Sequence, residues 1–224
     1  MTRTFIFICI MILLYFQRLL TSKKTDNLRL PADDHLIINF YLISGGWLLV
    51  SNVVIDESSS SPQLSLETTY RGISNYNNNK TFLTTSAMHE LRTHLAFTQL
   101  RFYCSKRQGP HTFHVITVTD SIGKAVVEYF SGQTDVQPVA CGSFVTMEND
   151  NSRLAGQCHL WGKENGVLRV GKWGHGEDQD RLFRYAIFNH ANYYWLFLPD
   201  GSKVRCDDLS NAVSSGDFWK VFVR

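Results

Sequence analysis

The chain has 224 residues, of which 44% are apolar and 19% charged, with 15 Phe, 9 Tyr and 5 Trp. That length and apolar share suit one large folded domain or two small ones and exclude a disordered chain. A formal charge of +2 excludes a polyacidic calcium sink and gives no global pull toward nucleic acid.

The chain opens with Arg3 and an unbroken apolar run from Phe5 to Phe16, closed by Gln17 and Arg18. Twelve helical residues reach about 18 Å, short of the ~30 Å hydrocarbon core, so the run reads as the apolar stretch of a signal peptide over residues 1–22. Leu20-Thr21-Ser22 is a poor cleavage site, which keeps a signal anchor as the alternative. No stable membrane span is expected. Residues 23–35 are polar, contain Pro31 and read as an exposed linker.

A folded domain is expected over 36–224. Leu36 to Ile43 and Trp47 to Ile55 read as paired strands joined by Ser44-Gly45-Gly46, with Trp47 as an aromatic anchor. Residues 56–62 hold four serines and form a surface loop, and 63–84 scatter aromatics among polar residues. Ser86 is placed to cap a short helix from Ala87 to His94, with Met88, Leu91 and Leu95 on its buried face. Strands are expected at Leu95–Cys104 and Thr112–Thr119, the latter with Phe113, Val115 and Thr117 on one face. A turn at Ser121-Ile122-Gly123 and a strand from Val126 to Ser131 would complete a hairpin over 112–131. Further strands are expected at 144–147, 167–173, 185–188, 193–198, 204–206 and 218–223. With one helix among many strands, the class is sheet-rich α+β.

Cys9 lies in the leader, and Cys104, Cys141, Cys158 and Cys206 remain. An even number in an exported chain implies two disulfides with three pairings open. The local loop favours Cys141 with Cys158, which leaves Cys104 with Cys206. Asn79-Lys80-Thr81 is the one N-glycosylation sequon, set in a polar loop.

Glu148-Asn149-Asp150-Asn151 gathers carboxylate and amide oxygens of the kind calcium takes, against the plainer reading of a solvated acidic turn. Glu177-Asp178-Gln179-Asp180 has the same ambiguity, and Asp207-Asp208 reads as a turn. His89 and His94, five apart, do not share a helix face, and His111, His114 and His175 read as surface or core histidines rather than zinc ligands. No nucleophile elbow, zinc-protease or phosphate-loop motif is present, and no basic stripe interleaves with aromatics. No catalysis and no nucleic-acid partner are expected.

Gly45-Gly46-Trp47-Leu48-Leu49-Val50 resembles the Gly-Gly-Trp segment of fibrinogen C-terminal-like domains. Glu148-Asn149-Asp150-Asn151, followed by Ala155-Gly156-Gln157-Cys158, is similar to their calcium loop and the cysteine after it. Phe218 to Arg224 resembles the ending of related cnidarian domains. Ser60 to Glu67, Phe130 to Asp135 and Gly171 to Gly176 extend the likeness to the uncharacterised skeletal organic matrix proteins of reef corals. The resemblance implies a fibrinogen-like globular domain with short helices and long loops. It also implies a secreted protein of the skeletal organic matrix, with matrix proteins, glycans or a mineral surface as partners. A calcium-assisted lectin is the alternative. The chain departs from the family in having no cysteine over Ile38 to Ser44 and in carrying Glu148 and Asn151 where the family's loop has aspartates.

Overall fold

Phe218-Trp219-Lys220-Val221-Phe222-Val223 is a short, aromatic- and valine-rich run with one polar residue, the composition of a largely buried strand. It forms the centre of the main sheet. The structure, a computed structural model, describes residues 42–43, 45–56, 63–109, 111–177 and 180–224. The compact unit is Ile43–Arg224. The leader, the linker and most of the first expected strand lie outside the described residues.

The strands in chain order are β1 (Leu42–Ile43), β2 (Trp47–Val54), β3 (Ser65–Glu67), β4 (Lys80–Leu83), β5 (Leu100–Ser105), β6 (Thr112–Thr117) and β7 (Phe144–Thr146). They continue with β8 (Lys163–Glu164), β9 (Val167–Leu168), β10 (Ile187–Asn189), β11 (Tyr193–Phe197), β12 (Val204–Asp208) and β13 (Phe218–Val223). The main sheet runs β3-β4-β2-β13-β5-β6-β7, with β1 beside β2. Its neighbours are antiparallel except β3 and β4. Gly45 and Gly46, at φ 91° and 77°, make the bend before β2, a conformation that side chains with a Cβ disfavour. A second sheet runs β10-β11-β12, and β8 pairs with β9. The sheet-rich α+β class holds.

The core lies on the inner face of the main sheet. Leu100, Phe102 and Cys104 of β5, Phe113, Val115 and Thr117 of β6, and Trp219 and Val221 of β13 are fully buried. Phe102 meets Phe130, Trp173 and Trp195 at ring distances of 5.1, 5.6 and 5.4 Å. Trp219 meets Phe197 at 5.3 Å, which packs β11 against β13. The disulfide Cys104–Cys206 ties β5 to β12, and Cys141–Cys158 closes a local loop. Both are the pairs favoured from the sequence.

Three expectations are corrected. Val126 to Ser131 is not a strand, and 112–131 is not a hairpin. The helix Ser121–Phe130 (α2) follows β6, whose strand partners are β5 and β7. Asp120 begins the helix, its carboxylate accepting from the Ile122 and Gly123 amides at 2.9 and 3.1 Å. Gly123 is not a turn residue. It sits in the first helical turn because a Cβ there would lie 1.9 Å from the Val118 carbonyl oxygen. The earlier helix (α1) spans Thr85–His94 and is capped by Thr84, not Ser86, the Thr84 hydroxyl accepting from the Ala87 amide at 3.3 Å. The strand expected over 167–173 stops at Leu168, because Arg169 and Gly171 take φ of 61° and 70°. The short strands β3 and β4 carried no sequence signal strong enough to place them in 63–84. Between them the chain makes a 3-10 segment, Tyr70–Asn78.

Candidate functional site

The acidic turn predicted from the sequence follows β7 and folds against the start of β6. Three of its four side chains bond to the sheet edge or to the turn itself. Asp150 Oδ2 accepts from the His114 amide at 2.6 Å, and its Oδ1 accepts from the Ser152 amide at 3.2 Å and hydroxyl at 3.1 Å. Asn151 Oδ1 accepts from the Thr112 amide at 2.6 Å. Asn149 Oδ1 accepts from His114 Nδ1, and Asn149 Nδ2 donates to the Tyr103 hydroxyl at 3.1 Å. Glu148 is exposed and carries no bond among the described residues. The oxygens of Asn149, Asp150 and Asn151 thus tie a loop to a sheet edge. A calcium ion held by this turn would have to displace those bonds. Among the described residues, no group of three or more His, Cys, Asp or Glu side chains converges to hold a metal.

His114 is buried in this arrangement. Its Nε2 accepts from Arg101 Nε at 2.7 Å, which leaves Nδ1 to donate to Asn149. Burial is the main reason its pKa falls to about 4, opposed by the Asn149 hydrogen bond and reinforced by the Arg101 charge. The ring is therefore neutral at pH 7.

Beside the turn lies a surface cleft of about 380 Å³, lined by His111, Arg153, Asn192, Tyr193, Asp207, Asp208 and Leu209. The strand β12 and the short helix Arg153–Gly156 (α3) build it. Asp207, at φ 54°, turns its carboxylate onto the start of α3, where it accepts from the Arg153 and Leu154 amides at 2.9 and 2.7 Å. His111 Nδ1 lies 2.8 Å from Asp207 Oδ2. Burial raises the pKa of Asp207, and nearby Asp150 adds to the rise, against the amide donors and His111. Asp208 Oδ2 is 2.8 Å from the Nζ of buried Lys106, and its Oδ1 accepts from the Cys206 amide at 3.0 Å. The carboxylates of the cleft are thus satisfied from within. What faces solvent is the exposed Arg153 guanidinium, which donates to the Tyr193 hydroxyl at 2.9 Å and lies 5.8 Å from that ring, together with the Asn192 amide. Such a cleft can bind hydroxyls or an anionic group through N–H donors beside an aromatic ring.

Asp207-Asp208 ends β12 and is not the turn read from the sequence. Arg153 and Tyr193 carried no motif. They meet because α3 and β11 pack together, a contact across 40 residues. Asn79 of the sequon is half-buried at φ 57°, with its Oδ1 accepting from Asn52 Nδ2 at 3.1 Å. Thr81 is buried and donates to Asn78 Oδ1 at 2.6 Å. Asp178 and Gln179 of the second acidic cluster lie outside the described residues, while Glu177 pairs with Lys163 at 3.1 Å.

No protein-family model, no curated protein and no solved structure matches this chain.

Proposed function

We propose that the chain is a secreted interaction protein of an extracellular, biomineral-associated organic matrix, built on a fibrinogen-like domain and acting without a catalytic step. The observation that carries the reading is the pair of disulfides. One of them bridges the two sheets across 102 residues, the kind of staple that oxidising compartments permit. The apolar leader at Phe5 to Phe16 and the matrix-protein resemblance from Trp47 to Arg224 point the same way. The pairing of β2 with β13 supports one domain between the Gly-Gly-Trp segment and the closing strand. The test is mass spectrometry of protein extracted from demineralised skeleton. Peptides from 47–224 should recur in independent extracts and be absent from the cellular fraction. The opposite distribution would overturn the proposal.

The cleft favours one second reading, a calcium-assisted carbohydrate-binding module. Tyr193, Arg153 and Asn192 offer a ring and donors of the type that holds sugar hydroxyls. A glycan array run with calcium and with chelator separates the readings. Calcium-dependent binding to a defined sugar supports the lectin, and a flat array removes it.

A further inference from the structure

The outer face of the main sheet carries a row of side chains set directly opposite one another: Thr81, Asn52, Lys220, Tyr103 and His114. The two ends of the row are bonded. Thr81 donates to Asn78, and Asn52 donates to the Tyr76 carbonyl at 2.7 Å, which fastens the 3-10 segment over one side. Tyr103 and His114 bond to Asn149, which fastens the acidic turn over the other. Lys220 in the middle has no hydrogen bond and no carboxylate within ion-pair distance among the described residues. Its Nζ lies 5.3 Å from the Phe218 ring. Diagonal to it, Arg101 donates only to a neutral histidine and lies over Phe222 at 4.9 Å. Both cations are half-buried, and burial lowers the pKa of each.

A half-buried cation without a counter-charge has given up hydration that aromatic rings and neutral acceptors restore only in part. An anion arriving from outside would restore the balance. Lys220 and Arg101 sit on neighbouring strands at diagonal positions, ~7–8 Å apart at the backbone. That spacing suits two anionic groups on one extended molecule better than a single small ion. The strip between them is aromatic: Tyr103 lies directly across from Lys220 and Phe222 directly across from Arg101, with Phe218 in edge contact with Tyr103 at 4.7 Å, and apolar ring surface suits the C–H groups of sugars. We propose that this trough, between the 3-10 segment and the acidic turn, binds a sulfated or carboxylated polysaccharide through Lys220 and Arg101. The inference rests on the matrix reading for its setting and deepens it by naming a partner class.

The experiment titrates heparin, neutral dextran and poly-L-aspartate into the purified protein by calorimetry at several salt concentrations. Heparin should bind, dextran should not, and poly-L-aspartate should bind more weakly. Lys220→Gln and Arg101→Gln should each weaken heparin binding about tenfold. Each should also lower the slope of log affinity against log salt by about one. Lys124→Gln, an exposed helix lysine paired with Glu128, removes the same charge elsewhere and should leave binding unchanged. Near-UV circular dichroism checks each fold, and should Arg101→Gln unfold, Lys220→Gln alone decides. Equal effects of Lys220→Gln and Lys124→Gln would overturn the trough. Tighter binding of poly-L-aspartate than of heparin would overturn the polysaccharide and assign an acidic protein instead. Matrix-derived peptides from a protein that ignores heparin would sink this inference and leave the matrix reading standing.

Discussion

Trp47 and His114 show how single side chains are held on the outer face. The Trp47 ring is only 4% exposed and is flanked by the guanidinium groups of Arg224 at 4.6 Å and Arg101 at 5.8 Å. Trp47→Ala therefore removes apolar burial and two cation–π contacts, at an expected cost of about 3–5 kcal/mol in urea unfolding. A loss near that of an exposed residue would show that the start of β2 is held by its backbone alone. His114 makes a prediction of opposite character, since its effect depends on pH. Its folded pKa of about 4 lies below the 6.5 of the unfolded chain. Its stabilising contribution is full above pH 6.5. As pH falls from 6.5 to 4 the unfolded chain takes up a proton that the folded one refuses, and stability is lost. Asp150, Asp207 and Asp208, whose pKa values burial raises, act in the reverse sense, because the folded state takes up protons more readily than the unfolded one. The His114 contribution is isolated by comparison with His114→Gln. Unfolding midpoints at pH 7 and pH 5 should differ less in the variant than in the parent. A steeper dependence in the variant would show that the buried ring is not the group that titrates.

At the scale of elements, legibility followed the range of the signal. β13 was read residue for residue, because its apolar, aromatic-rich run is continuous and sharply bounded by Gly216-Asp217. β6 was read nearly so: its predicted inward set of Phe113, Val115 and Thr117 is fully buried, and His114, on the opposite face, is buried as well. The helix α2 was misread because Gly123 looks like a turn until the Val118 carbonyl is seen against it, a contact that only the packed structure supplies. Asp120 was the local signal available, a capping residue directly before Ser121. Asp120→Ala should cost about 1 kcal/mol, and Gly123→Ala substantially more despite the better helix propensity of alanine. Thermal unfolding of the two variants checks the order. A stabilising Gly123→Ala would mean that the 1.9 Å approach relaxes freely. β4 went unread for the converse reason. Its Phe82 and Leu83 are fully buried, yet the flanking Asn-rich stretch hides them from any periodic pattern.

For the molecule as a whole, the candidate site was legible as parts and not as an assembly. The acidic turn, His111 and the Asp207-Asp208 pair were each visible, but nothing in their spacing brings β12, α3 and the start of β6 together. Residues 36 to 102 positions apart meet there, as Asp150 with His114 and Lys106 with Asp208 show. The Cys104–Cys206 disulfide spans the same distance and secures the same junction, joining the central β5 to β12, which carries the cleft carboxylates. Cys141–Cys158 closes a loop of 17 residues and joins no two sheets. Chain-entropy arguments then order their contributions. Removing the long bridge with Cys104→Ala and Cys206→Ala should cost about 4–5 kcal/mol, and removing the short one about 3 kcal/mol. Only the first loss should also disturb the cleft, since Asp207 and Asp208 follow Cys206 directly. Denaturant unfolding gives the two costs. Protection of the Arg153 and Leu154 amides from hydrogen exchange reports whether Asp207 still holds α3. Loss of that protection in the long-bridge variant, with retention in the short-bridge variant, is the expected pattern. Equal protection in both would mean that side-chain packing between the sheets, led by Phe197 against Trp219, suffices to hold the site without the bridge.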